Sequence, residues 1–170
     1  MIDQLTRVWP TGCSSITEER LPYPVHMVQH SRQLDTPQFL RRAFYEIVRL
    51  GFDPATQGLS DKDALIALRM QLALQKQWML FASTPPESNC DLGRSRRAGC
   101  SPQKARKEQW ISCVLEDSEA RSKDPIYALV ELGRIDWSQQ GYCAPCVASL
   151  RETLLAKKME WWNLLGTYLA

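Results

Sequence analysis

Three times this chain writes the start of a helix as a capping residue followed by proline: Thr36-Pro37, Ser101-Pro102 and Asp124-Pro125. The side-chain oxygen accepts an orphan backbone N–H. Proline at the first helical position lacks the N–H that would go unpaired. A fourth start, Ser60-Asp61-Lys62-Asp63, places a carboxylate three residues after its cap, at the positive helix end. Reading forward from these starts gives an all-α chain. A short helix covers about residues 24 to 34. The next runs from Pro37 to Arg49, with Phe39, Leu40, Phe44, Ile47 and Val48 inward and Gly51 as its stop. A third runs from Asp61 to about Phe81, its stripe formed by Leu65, Leu68, Leu72 and Met79, and Pro85-Pro86 ends it. A fourth runs from Pro102 to about Arg121 with Trp110, Val114 and Leu115. A fifth spans Pro125 to Leu132 and is capped by Gly133. The last runs from Pro145 to at least Leu165 and buries Val147, Leu150, Leu154, Trp161 and Leu165.

No strand hairpin is written in the sequence. Thr6-Arg7-Val8-Trp9 alternates and reads as an isolated strand. The expected architecture is therefore a single all-α domain of five to six helices over 21–170, preceded by a strand and linker over 1–20. At 170 residues, 44% hydrophobic and 24% charged, the chain is the size and composition of one domain with a real core. The net charge of +2 argues neither for nor against a polyanionic partner. No stretch approaches the ~20 apolar residues of a membrane span. Met1-Ile2-Asp3-Gln4-Leu5 lacks the basic flank and apolar run of a secretory signal. The expectation is an intracellular protein, cytoplasmic or nuclear, without a membrane association.

In such a reducing setting six cysteines are thiols or metal ligands rather than disulfides. Cys143 and Cys146 enclose two residues, the usual spacing of a zinc-ligand pair, at the start of a helix whose positive end favours thiolates. Cys90 and Cys100 enclose nine, longer than a zinc knuckle, inside a loop from Ser83 to Ser101 that is long for a structureless connection. A structural zinc held by Cys90, Cys100, Cys143 and Cys146 would give that loop its reason. The plainer reading is six unliganded thiols. Cys113, between Ser112 and Val114 in a helix, reads as core, and Cys13 as a free loop thiol. His26 and His30 are four apart on one helix face without a third ligand nearby, and read as surface residues.

Other chemistries are weaker. Tyr142-Cys143-Ala144-Pro145-Cys146 also resembles a thioredoxin-type redox motif, but that fold needs strands before and after it. Arg94, Arg96, Arg97, Lys104, Arg106 and Lys107 form a basic stretch that could meet phosphates. Glu87, Asp91 and Glu108 dilute it, and no stacking aromatics are interleaved, so nucleic acid is disfavoured. The acidic run Glu116-Asp117-Ser118-Glu119 has no second carboxylate cluster to pair with, and no phosphate-binding glycine loop is present. Trp161 continues the Leu150 and Leu154 stripe into the core. Trp162 lines up with Leu155 and Met159 and is the candidate partner-binding face, the alternative being packing on another helix.

Taken in order, several segments resemble the region that follows the BTB/POZ domain in fungal, mushroom-type BTB proteins. Leu5-Thr6-Arg7-Val8-Trp9-Pro10-Thr11 resembles the last short strand of that domain. His30-Ser31-Arg32-Gln33-Leu34-Asp35-Thr36-Pro37-Gln38-Phe39-Leu40, with Arg41-Arg42-Ala43-Phe44-Tyr45, resembles its first helical segment. The Ser60 to Phe81 helix, the Cys90 and Cys100 loop, the helix bearing Trp110, Asp124-Pro125-Ile126, Ile135-Asp136-Trp137 and Cys143-Ala144-Pro145-Cys146 follow in the family's order. The resemblance implies the same four cysteine positions and a non-enzymatic protein-interaction or adaptor role. Some such proteins serve cullin-type ubiquitin ligases. It also implies that the BTB fold would precede residue 1, so dimerisation through that fold is not expected here.

Overall fold

The computed structural model describes residues 2–51, 58–87, 90, 100–116 and 118–169. Its helices are α1 (Ile2–Val8), α2 (Pro24–Gln33), α3 (Leu40–Leu50), α4 (Asp61–Ser83), α5 (Gln103–Leu115), α6 (Ser118–Lys123), α7 (Pro125–Arg134) and α8 (Ala144–Gly166). Two 3₁₀ turns, Cys13–Ser15 and Pro37–Phe39, punctuate the first third. Among the described residues there is no strand, and no helix is long and apolar enough to cross a membrane.

Two of the four start signals act as capping side chains. Ser60 Oγ accepts from the Asp63 N–H at 3.2 Å, and Asp124 Oδ1 accepts from the Tyr127 N–H at 3.3 Å. Thr36 makes no side-chain cap bond, and Pro102 itself takes the cap position of α5. There the fixed φ of proline sets the entry. Gly51 ends α3 with φ +76°, a backbone that favours glycine.

Helix α3 organises the rest. It packs against α2, α4, α6 and α8. Apart from Arg41, every residue from Leu40 to Arg49 is buried. Its polar side chains therefore have no water to turn to. Arg42 Nε donates to Glu46 Oε1 at 2.8 Å, Arg49 Nη1 to the same oxygen at 3.1 Å, and Arg49 Nε to Asp124 Oδ2 at 2.6 Å. The remaining guanidinium donors reach Ser15 Oγ and the carbonyls of Thr17 and Glu18. Tyr45 donates to the other oxygen of Asp124. Two arginines and two carboxylates thus neutralise each other, and they tie the N-terminal segment and the start of α7 to one central helix.

Five sequence expectations are corrected here. Thr6 to Val8 belong to α1 rather than to a strand. Nor does residue 20 mark a boundary: Trp9, Cys13 and Ile16 are buried in the common core. The helix expected from Pro102 to Arg121 breaks at Glu116, whose ψ of 127° is extended, and resumes as α6. Arg121 Nη1 caps the broken end by donating to the carbonyls of Cys113 and Val114. Gly133 lies inside α7 rather than capping it. On α4 the expected stripe is the exposed one. Leu65, Leu68, Leu72 and Met79 face outward, while Ala67, Met70, Leu74, Trp78, Phe81 and Ala82 are buried. Both faces of α4 carry apolar residues at helical spacing, so periodicity alone selects neither.

Glu46→Ala leaves two buried guanidinium groups without their shared acceptor and is expected to cost about 3–5 kcal/mol. Urea unfolding measures this, and a loss within error of zero would show the network to be dispensable.

Burial, and then Asp124 beside it, push the Tyr45 hydroxyl well above its ordinary value near 10. The folded chain keeps a proton that the unfolded chain releases above about pH 10. This contribution is therefore complete below about pH 10 and is lost progressively from there upward, toward the raised value of the folded chain. Thermal melts should show a falling midpoint above about pH 10, and Tyr45→Phe should flatten the fall while costing ~1 kcal/mol at neutral pH.

Candidate metal centre

The segment joining α7 to α8 folds around one buried indole. Trp137 Nε1 donates to the Leu132 carbonyl at 2.8 Å, and the Tyr142 N–H returns to the Trp137 carbonyl at 3.1 Å. This tight turn delivers Cys143 as the N-cap of α8 and Cys146 into its first helical turn, with Pro145 between them. The other strand of the site arrives with Cys100, just before α5. Ser101 N–H donates to the Gly141 carbonyl at 2.8 Å and fixes the two segments side by side. Gly141 has φ +80°, and a Cβ there would clash with Ser101 Oγ. Conformation and close approach both require glycine at this one position.

The result places the sulfurs of Cys90, Cys100, Cys143 and Cys146 within 4.8 Å of one another. Cys90 Sγ is 3.4 Å from Cys143 Sγ and 3.4 Å from Cys146 Sγ. A disulfide needs about 2.05 Å, so none of these is bonded. Sulfurs at the corners of a tetrahedron of ~2.3 Å metal–thiolate bonds stand roughly 3.8 Å apart. The four thiols fit a metal ion of that kind, with three of them half-buried and Cys146 buried.

Electrostatics at the site depend on what replaces the thiol protons. Hydrogen bonding with Cys146 and then with Cys143, together with burial, holds Cys90 as a thiol, pushed up to about 12. A coordinated cation reverses this preference, since a metal-bound thiol is deprotonated outright. Four thiolates around a divalent ion leave net negative charge. Two features answer it: the positive N-terminus of α8 and the Arg106 guanidinium. Arg106 is buried, donates through Nη1 to Cys100 Sγ at 3.2 Å and to the Ser101 carbonyl, and lies 5.9 Å from the Tyr142 ring centroid. Tyr142 in turn donates its hydroxyl to the Arg106 carbonyl at 3.1 Å. Arg106 therefore braces both halves of the site.

The sequence named all four sulfurs but missed Arg106 and Gly141. Arg106 sits between Lys104 and Lys107 in the basic stretch, and no pattern separates it from them. Both lysines are exposed, and Lys104 approaches Glu108 at 3.9 Å. Arg94, Arg96 and Arg97 lie outside the described residues, as does Asp117. His26 and His30 are exposed on α2, and Cys113 is in the core. Cys13 corrects its expectation as a free loop thiol. It is buried with its sulfur 3.8 Å from the Lys158 carbonyl, and burial raises its pKa. Trp162 is likewise corrected. At 4% exposure it is a core residue, set edge-on to Tyr45 with Arg41 over its ring. Leu155 and Met159 remain exposed without it.

Compared with known proteins, the chain matches no family model, no characterised protein and no solved structure.

Gly141→Ala meets both the left-handed backbone and Ser101, and is expected to destabilise by about 2–4 kcal/mol. Gly133→Ala, inside a helix with nothing within 4 Å of its Cβ, is the control and should be neutral or stabilising by up to ~1 kcal/mol. Equal effects at the two positions would remove Gly141 from the architecture of the site.

Proposed function

We propose that this chain is a non-enzymatic protein-interaction module in which a structural zinc clamps Cys90 and Cys100 to the start of α8. The observation that carries the reading is the convergence of four thiols from three separate places in the chain. Zinc is the metal of choice because an all-sulfur, tetrahedral donor set selects zinc or an iron–sulfur centre, and the paired spacing of Cys143 and Cys146 is that of structural zinc sites. The site is closed: four protein sulfurs fill a tetrahedron and leave no position for substrate.

The interaction half of the reading is supported by exposed apolar side chains. Met79 of α4 and Ile111 and Leu115 of α5 are exposed and, with buried Trp78 and Ala82 at its base, line an open groove of about 560 Å³. The resemblance to the helical region of fungal BTB/POZ proteins agrees with an adaptor role inside the cell. The thiol–disulfide alternative loses support on two counts. Cys90 stands equally close to both members of the Cys143 and Cys146 pair, and the strands that flank a thioredoxin-type motif are missing among the described residues. Nucleic-acid binding loses support because Arg106 turns inward to the site.

Metal analysis by native mass spectrometry on protein prepared without added zinc tests the clamp. One zinc per chain is expected, lost in Cys90→Ser and Cys146→Ser. Chelation should lower stability by several kcal/mol, a fraction of the ~10–16 kcal/mol of zinc-finger peptides, because this core is larger. Four thiols should become open to alkylation only after chelation. A metal-free chain of unchanged stability in which Cys143 alone labels quickly would hand the site to redox chemistry instead.

A further inference from the structure

The outward face of α4 is patterned rather than merely apolar. Leu65, Leu68, Leu72, Gln75 and Met79 recur at alternating intervals of three and four, the seam of a heptad repeat. Leu65, Leu68, Leu72 and Met79 are between 40% and 70% exposed. The seam runs about 21 Å along the helix at 1.5 Å per residue. It ends in the groove where Met79 and Ala82 face Ile111 and Leu115 of α5. A helix surface of this length with a groove at its end is the receptor half of a helix-in-groove contact.

The charges beside the seam say what lies there. One flanking edge is Lys62, Arg69 and Lys76, spaced seven apart and all exposed. None has an acid three or four residues away on the helix, and none forms an ion pair among the described residues. The opposite edge is Ala64, Gln71 and Trp78, which carries no charge. Of the acids near the ends, Asp63 is engaged with Arg32 at 2.9 Å and Glu119, in the groove wall, with Lys123 at 2.6 Å, while Asp61 precedes the seam. A second copy of this chain fits badly. Antiparallel pairing sets the basic edge against itself, and parallel pairing sets it against an uncharged edge.

The geometry points to a docking surface for an acidic amphipathic helix of another protein, with apolar residues at heptad spacing on the seam and carboxylates against Lys62, Arg69 and Lys76. This names the partner class for the interaction role proposed above and rests on it. The partner's apolar face covers the four exposed side chains. Its carboxylates supply the register and the discrimination against basic helices.

The test uses the full chain and two labelled peptides of equal length, each with leucine at the seam positions. One carries glutamate on its flanks and the other lysine. Fluorescence anisotropy should show the glutamate peptide binding at least about tenfold more tightly, with affinity falling as salt is raised. Lys62→Glu, Arg69→Glu and Lys76→Glu combined should reverse the preference. Leu72→Glu should weaken binding of the glutamate peptide at least about tenfold with an unchanged melting midpoint, because Leu72 is exposed. Equal binding of both peptides, abolished by Leu72→Glu, would overturn the acidic partner while leaving an interaction module. Binding of neither would overturn the docking surface altogether, while the zinc measurement reads the clamp independently. A dimer in sedimentation that Leu72→Glu dissolves would assign the face to a second copy and overturn the proposal.

Discussion

Helix α3 has no wet side, and that single constraint shapes the N-terminal half of the molecule. A helix buried all round is normally apolar all round. This one carries Arg42, Glu46 and Arg49, each at most 2% exposed. Such groups are tolerated only if every donor finds an acceptor. Glu46 supplies one acceptor within the helix. The rest must come from elsewhere in the chain, so the carbonyls of Thr17 and Glu18, the Ser15 hydroxyl and the Asp124 carboxylate are drawn in. Asp124 then has two duties, as capping residue of α7 and as counterion of Arg49. Apolar residues in place of the network could be equally stable. What the charges add is a specific route for segments that lack periodicity of their own.

The C-terminal half is held by aromatic rings instead. Tyr142 meets Trp137 edge-on, Trp137 stacks on Trp110 at 5.6 Å, Trp110 meets Phe81, and Phe81 meets Trp161. The chain of rings begins one residue before Cys143 and ends in α8, crossing α5 and α4 on the way. Two indole N–H groups use carbonyls at the ends of helices, Trp110 that of Ala82 and Trp137 that of Leu132. Cys143 and Cys146 are thus mounted on packed rings.

Local signals in the sequence carried the helix starts and the ligands. Ser60 and Asp124 announce α4 and α7 by short-range capping chemistry, and the Cys143 and Cys146 pair announces half of the four-cysteine cluster by its spacing. What was not legible depends on tertiary choice. The break at Glu116 has no proline or glycine to mark it. Thr6-Arg7-Val8 alternates as a strand does, yet it forms a helix that leads buried Trp9 into the core. Trp161 and Trp162 are both buried because α3 and α4 cover adjacent sides of α8, a fact outside the helix itself. The inversion of α4 is the same kind of error. Its leucines make the stronger seam, but Ala67, Met70, Leu74 and Trp78 make the one that fits α3.

Helix α5 joins the two sites that matter most. Its first turn holds Arg106 against Cys100, and its last two turns set Ile111 and Leu115 into the groove wall. Between them Trp110 locks the helix to Phe81 and Trp137. At 1.5 Å per residue the distance from Arg106 to Leu115 is about 14 Å, too short for a packed helix to flex appreciably. A clamp that fixes the start of α5 therefore also fixes one wall of the groove. Affinity in such a groove comes largely from not having to order it on binding. On the proposed reading a metal in the cysteine cluster would make no contact with a partner; it would hold α5 at the separation from α4 at which an apolar helix face can be received.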